Sequence, residues 1–194
     1  MSSSLDTNVL ESGFTNPSIE SAGFFRAALQ AMARPGRIET VSGVTPPAPL
    51  SVAAGALILT ICDPETGLFL TPDFDAKEVR DWVIFQTGAK LTSAEEADFA
   101  LGPWDQLQPV ERFKLGIPEY PDRSATLIVE MADLRNEGAR LTGPGIQTEA
   151  FLSLPEIETF RANRARFPLG FDCFFVAGNQ LAAMPRTTRV EETG

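Results

Sequence analysis

The chain contains no histidine, and its only lysines are Lys77, Lys90 and Lys114. Lack of imidazole removes the commonest general base, the Ser-His-Asp and Cys-His nucleophiles and the commonest neutral metal ligand. The phosphate-loop pattern G-x-x-x-x-G-K-[ST] is missing, and so is a G-x-G-x-x-G turn between a strand and a helix. A Schiff-base lysine needs desolvation or a cationic neighbour. Lys77 falls in an exposed helical turn, and Lys90 and Lys114 lie beside loops. Lys114, close to Arg112, comes nearest to meeting that need. The two cysteines, Cys62 and Cys173, sit in apolar runs and read as buried thiols, with no further ligands to make a zinc site. No apolar run approaches the roughly 20 residues that span a bilayer. MSSSLDTNVLESG has neither the basic start nor the apolar core of a secretory signal, so residues 1–15 read as a tail and the cytoplasm is the expected location.

What is present is ordinary for a globular protein: 194 residues, 43% hydrophobic and 22% charged. That length fits one domain, read here as residues 16–190, with a short tail at 191–194. The net charge of −10, with 16 scattered basic residues, argues against nucleic acid and membrane surfaces as partners.

Residues 16–34 predict a helix: Asn16 can cap it, Pro17 suits its first turn, and Phe24, Phe25, Ala28, Leu29 and Met32 recur at helical spacing. Arg34-Pro35-Gly36 stops it. The apolar run 57–62 reads as a buried strand, with 68–70 as its return after the Asp63-Pro64-Glu65-Thr66-Gly67 turn. Asp63 is expected to bond its own backbone two residues on. A helix is expected over 75–87, and a strand over 98–101. A short helix among turns should follow between 104 and 121, then the chain's strongest strand over 125–131. Further expectations are a strand at 140–142, a helix over 155–166, and paired strands at 171–176 and 181–184. Alternation of strands and helices, with several strands apolar on both faces, predicts an α/β fold: a mixed sheet flanked by helices in three α/β/α layers.

Carboxylates offer little specific chemistry. Asp73 and Asp75 read as a solvated helix start, and Glu95-Glu96 as an exposed pair. Two segments could hold an anion. The Leu141-Thr142-Gly143-Pro144-Gly145-Ile146 stretch has glycines that allow close backbone approach, and Met184-Pro185-Arg186-Thr187-Thr188-Arg189 carries two arginine forks. With Arg34, the candidate anion-binding set is Arg34, Gly143, Gly145, Arg186, Thr187 and Arg189. The alternative is a tight turn and an edge strand making carboxylate pairs. No catalytic residue, metal site or cofactor site is assigned.

Several segments, in order, resemble one family: FRAALQAMARPG (25–36), LTICDPETG (59–67), TGA (87–89), ADFA (97–100), GIPEYPDRSATLI (116–128), LTGPGI (141–146), FPLGFD (167–172) and MPRTTRV (184–190). The sequence is similar to PhnH, the H subunits of the bacterial carbon–phosphorus lyase core complex, over roughly residues 13–190. The resemblance implies a reduced pyridoxal-phosphate-transferase-like fold without the cofactor. It also implies a homodimer that joins the G, I and J subunits. The role it implies is a required, non-catalytic part in making ribose 1-alkylphosphonate 5-triphosphate from ATP and phosphonate. One departure is Gln86, where the family commonly has histidine before the Thr-Gly-Ala turn; a neutral residue there points to a structural position.

Overall fold

The computed structural model describes residues 13–14 and 17–193. The expected Asn16 cap and nearly all of the expected N-terminal tail lie outside them. Helix α1 (Pro17–Ala33) buries Phe24, Ala28 and Ala31. Its stop is as expected: Arg34 N–H reaches back to the Gln30 carbonyl, and Gly36 takes φ +90°. After the short strand β1 (Glu39–Thr40) comes α2 (Val52–Ile61), then β2 (Gly67–Leu70), α3 (Lys77–Thr87) and β3 (Lys90–Leu91). Strand β4 (Phe99–Pro103) leads into the one-turn α4 (Trp104–Leu107) and the hairpin β5 (Leu115–Ile117) and β6 (Tyr120–Ser124). Strand β7 (Thr126–Glu130) follows, then β8 (Ala139–Thr142), β9 (Ala150–Leu152) and α5 (Glu158–Ala165). The chain closes with β10 (Asp172–Ala177), β11 (Gln180–Met184) and β12 (Arg189–Glu191).

Seven strands form the central sheet in the order β1-β11-β10-β7-β4-β2-β3. Neighbours from β10 to β3 run parallel, and β11 is reversed against both β10 and β1. Both edge strands are two residues long, which leaves little backbone open to unwanted pairing. Alternate residues of each central strand point to opposite cores. Leu68, Leu101, Ile128, Phe174 and Val176 meet α1, α2 and α3. Ala100, Leu127, Val129, Cys173 and Phe175 face the other side. That second face is covered by α4, α5 and the three-stranded sheet β12-β8-β9, so the third layer is part helix and part sheet, where helices alone were expected.

The run 57–62 corrects the expectation of a strand. Its residues 57–61 are the second half of α2, with Cys62 as the extended C-cap, and the N-cap Ser51 accepts a hydrogen bond from Ala54 N–H at 3.1 Å. This helix is buried beneath α1 and α3 and against β10, so it is apolar almost all round and carries no periodic signal. Strand β2 accordingly pairs in parallel with β3 and β4, not with the run preceding it. Phe25 and Leu29 also depart from expectation, lying on the outer side of α1 at 49% and 52% exposure. Glu191, assigned to a C-terminal tail, instead pairs with Arg140 in the β12–β8 ladder. The helix over 75–87, the strongest strand, the β10–β11 pair and the burial of both cysteines agree with the sequence reading. Asp63 Oδ1 accepts the Glu65 N–H at 2.9 Å, also as read.

Candidate functional site

Arg186, just beyond β11, makes more side-chain hydrogen bonds than any other cation among the described residues. Its backbone N–H and Nε–H both donate to Asp172 Oδ1, at 2.7 and 3.2 Å. One terminal nitrogen donates to the Pro121 and Pro168 carbonyls at 2.8 and 3.3 Å. The other donates to Asp172 Oδ2 at 2.7 Å and to the Ser124 hydroxyl. The side chain is 12% exposed. Its fork is thus occupied by protein acceptors, and it joins the start of β10, the end of the β5–β6 hairpin and the loop before β10.

The remaining members of the expected anion set gather around one turn. Gly143 and Gly145 have φ of +128° and +82°, conformations that favour glycine. A Cβ on Gly145 would stand 2.0 Å from the Ala33 carbonyl oxygen, and one on Gly143 would stand 3.3 Å from the Thr187 carbonyl. The turn is therefore wedged between the end of α1, where Arg34 is exposed, and the segment 187–189 leading into β12. Arg189 is exposed and pairs through its backbone with Thr142. Thr187 is half-buried, and the Thr188 hydroxyl is buried without a hydrogen-bond partner. Arg34, Gly143, Gly145, Thr187 and Arg189 are neighbours along this seam, while Arg186 turns away to Asp172.

A cleft of about 540 Å³ opens at the N-terminal ends of β4 and β7, lined by Asp98, Phe99, Lys114, Asp122, Arg123, Ser124 and Thr126. Lys114 donates to Asp98 Oδ1 at 2.8 Å, and Asp98 Oδ2 accepts the Gly67 N–H at 2.9 Å. Partial burial pushes the Asp98 carboxyl up, but the Lys114 and Gly67 hydrogen bonds and the Lys114 charge outweigh it and leave it below its ordinary value. An ammonium held in this way is not a free amine nucleophile. Lys77 pairs with Asp81 on the surface of α3.

At the opposite, C-terminal end of β7, Glu130 accepts the Ser51 hydroxyl at 3.0 Å. Burial pushes its carboxyl up to about 7, against the hydrogen bonds from Ser51. Sequence reasoning missed Glu130, Asp172 and Ser124. Glu130 closing an otherwise apolar strand was the available signal, and the other two had none. Burial, with the nearby Asp63 and Asp98 charges, pushes the Cys62 thiol up to about 12, which leaves no thiolate for nucleophilic work. Cys173 is likewise driven upward by burial. Among the described residues, no cluster of three or more cysteine and carboxylate side chains is placed to hold a metal ion. No helix among them is long and apolar enough to cross a membrane. Gln86 packs its amide against Gly13, where a Cβ would lie 2.8 Å from the amide oxygen.

Residues 12–191 match the family described as "Bacterial phosphonate metabolism protein (PhnH)". The chain is 36% identical to the alpha-D-ribose 1-methylphosphonate 5-triphosphate synthase subunit PhnH of Rhizobium meliloti (strain 1021), over 95% of this chain and 97% of that protein. It is 32% identical to the putative C-P lyase subunit protein HtxG of Stutzerimonas stutzeri, over 88% of this chain and 85% of that one.

Proposed function

This chain belongs to the PhnH family of bacterial phosphonate metabolism proteins, and from that premise we propose that it is a subunit of a carbon–phosphorus lyase core complex. In this reading it is required for making ribose 1-alkylphosphonate 5-triphosphate from ATP and an alkylphosphonate, and it acts structurally, without an active site of its own. The observation that carries the reading is the near full-length similarity to a relative named as a subunit of that synthase. Its cations support it: Arg186 and Lys114 are both engaged by protein carboxylates. Its partners are a second copy of itself and the G, I and J subunits, in the cytoplasm. The seven-stranded, largely parallel sheet between helices supports a reduced pyridoxal-phosphate-transferase-like fold that works without the cofactor.

Affinity capture of the tagged chain from cells grown on methylphosphonate tests this reading. Co-purification of the other three subunits is the expected result, and recovery of the chain without them overturns it. Purified chain alone should show no turnover of ATP with methylphosphonate; turnover would reject the structural role.

The seam around the Gly143-Pro144-Gly145 turn favours a second reading, an anion- or nucleotide-binding subunit. It brings Arg34, Gly143, Gly145, Thr187 and Arg189 together, with Arg186 acting behind them as a brace. Calorimetry with ATP, pyrophosphate and methylphosphonate decides it. No heat at millimolar ligand removes this reading and leaves the structural one standing.

A further inference from the structure

Along β6 three consecutive residues, Asp122, Arg123 and Ser124, line the cleft of about 540 Å³. A regular strand cannot do this, because its successive side chains point to opposite faces. The register of the hairpin supplies the cause. Leu115 pairs with Ser124 and Ile117 with Tyr120, so Gly116 alone stands opposite Pro121, Asp122 and Arg123. A bulge of this kind re-aims side chains, and bulges are enriched beside active sites. Two features hold it in place. Gly116 has φ +80°, and a Cβ there would stand 2.7 Å from the Pro121 carbonyl oxygen. Arg186 donates to that same carbonyl at 2.8 Å and to the Ser124 hydroxyl, at the two ends of the bulge.

The two charges on the bulge have no protein partner. Among the described residues neither Asp122 nor Arg123 is held in an ion pair or a side-chain hydrogen bond. The Arg123 guanidinium lies over the Tyr120 ring, 4.1 Å from its centroid, which fixes its direction without using its N–H groups. Lys114 and Asp98 offset each other across 2.8 Å. One cation and one anion therefore remain in the cleft, beside the hydroxyls of Ser124 and Thr126. Because the Ser124 oxygen accepts from Arg186, its own proton is free to donate.

We propose that this cleft binds a small zwitterion, with an oxyanion head on Arg123 and the Ser124 hydroxyl and an ammonium group on Asp122. A bare anion would meet the Asp122 carboxylate, and a bare cation would meet the Arg123 guanidinium. A molecule carrying both charges satisfies both, so the site discriminates by charge pattern. The arginine fork suits a carboxylate or a phosphoryl head. A cleft of about 540 Å³ is of the size that small-molecule sites take. Binding here asks no chemistry of this chain and is separate from the seam around Gly143 and Gly145.

Calorimetry of the full chain at low ionic strength tests this with β-alanine, phosphoethanolamine, ethanolamine and inorganic phosphate as the probes. At least one of the two zwitterions should bind in the millimolar range or tighter, and at least tenfold more tightly than ethanolamine or phosphate. Which of the two binds identifies the head as carboxylate or phosphoryl. Arg123→Gln and Asp122→Asn should each weaken that binding at least tenfold, through loss of a charge-assisted contact. Both side chains are exposed, so both variants should fold, which circular dichroism establishes. Arg80→Gln, on the surface of α3, is the control and should leave binding unchanged. Absence of heat from either zwitterion overturns the assignment, and so does a zwitterion that binds no more tightly than phosphate. Binding that survives both Arg123→Gln and Asp122→Asn overturns it as well.

Discussion

Arg186 and Asp172 form the least exposed ion pair among the described residues, with Asp172 accepting three hydrogen bonds from one residue at 2.7, 3.2 and 2.7 Å. The pair is only partly exposed, at 12% and 26%, so solvent screens it less than a surface bridge. Arg186 also satisfies the Pro121 and Pro168 carbonyls. Removing the guanidinium would leave Asp172 without its charge partner and two carbonyls without donors. Arg186→Ala is expected to destabilise the fold by about 2–4 kcal/mol. Arg186→Lys should recover only a minor part, because an ammonium cannot reproduce the planar fork. Urea unfolding of both variants measures this; an alanine variant as stable as the parent would show that the junction does not hold these three segments together.

Gly145 fixes the seam between α1 and the 141–146 segment. With φ at +82° and a hypothetical Cβ 2.0 Å from the Ala33 carbonyl, the site tolerates no side chain without moving backbone. Gly145→Ala should cost about 2 kcal/mol or more, combining left-handed strain with that clash. Gly143→Ala meets its nearest neighbour at 3.3 Å and should cost less. Thermal unfolding of the two variants checks the ranking, and equal melting temperatures would contradict it.

How much of this could be read in the sequence depends on how local the deciding contacts are. The helix α3, the strands β7, β10 and β11, and the Asp63 turn follow from short-range patterns and were legible. Helix α2 was not, because burial on nearly every side erases its periodicity; Ser51 and the alanines after it were the only trace. On α1 the spacing was right, but the composition of the two faces is so alike that Phe25 and Leu29 read as core. Arg186 drew attention as part of an arginine segment. Its partner Asp172 is 14 residues away and Ser124 is 62 away, and no sequence pattern announces such a meeting.

Lys114 and Asp98 meet at 2.8 Å with 35% and 47% of their side chains exposed, so their pairing should contribute little to stability. Lys114→Ala is expected to cost less than about 1 kcal/mol. Asp98→Asn should cost more, because Asp98 also accepts the Gly67 N–H at the start of β2. The Asp98 carboxyl lies below its ordinary value in the fold, so its contribution is present above the unfolded-state value of 3.8 and fades as pH falls through the folded one. Acid unfolding of Asp98→Asn should therefore converge with that of the parent at low pH. A constant gap at all pH values would assign the loss to geometry and not to charge.

Glu130 should produce the opposite trend. Burial raises its carboxyl from 4.5 to about 7 in the folded chain, while Ser51 at the N-terminus of α2 supplies hydrogen bonds that favour the charged form. A carboxyl raised by folding binds its proton more tightly in the native state than in the unfolded chain. Its stabilising contribution is complete below about 4.5 and is lost as pH rises through about 7. The span corresponds to about 3 kcal/mol at most, and attraction from the α2 N-terminus acts to reduce it. Glu130→Gln keeps an acceptor for the Ser51 hydroxyl but cannot ionise. Its stability relative to the parent should rise between pH 4.5 and 7 and level off above. Denaturant titrations at several pH values give that difference directly. A difference that stays flat across the interval would mean that Glu130 is ionised throughout, held by the helix terminus more strongly than burial opposes it.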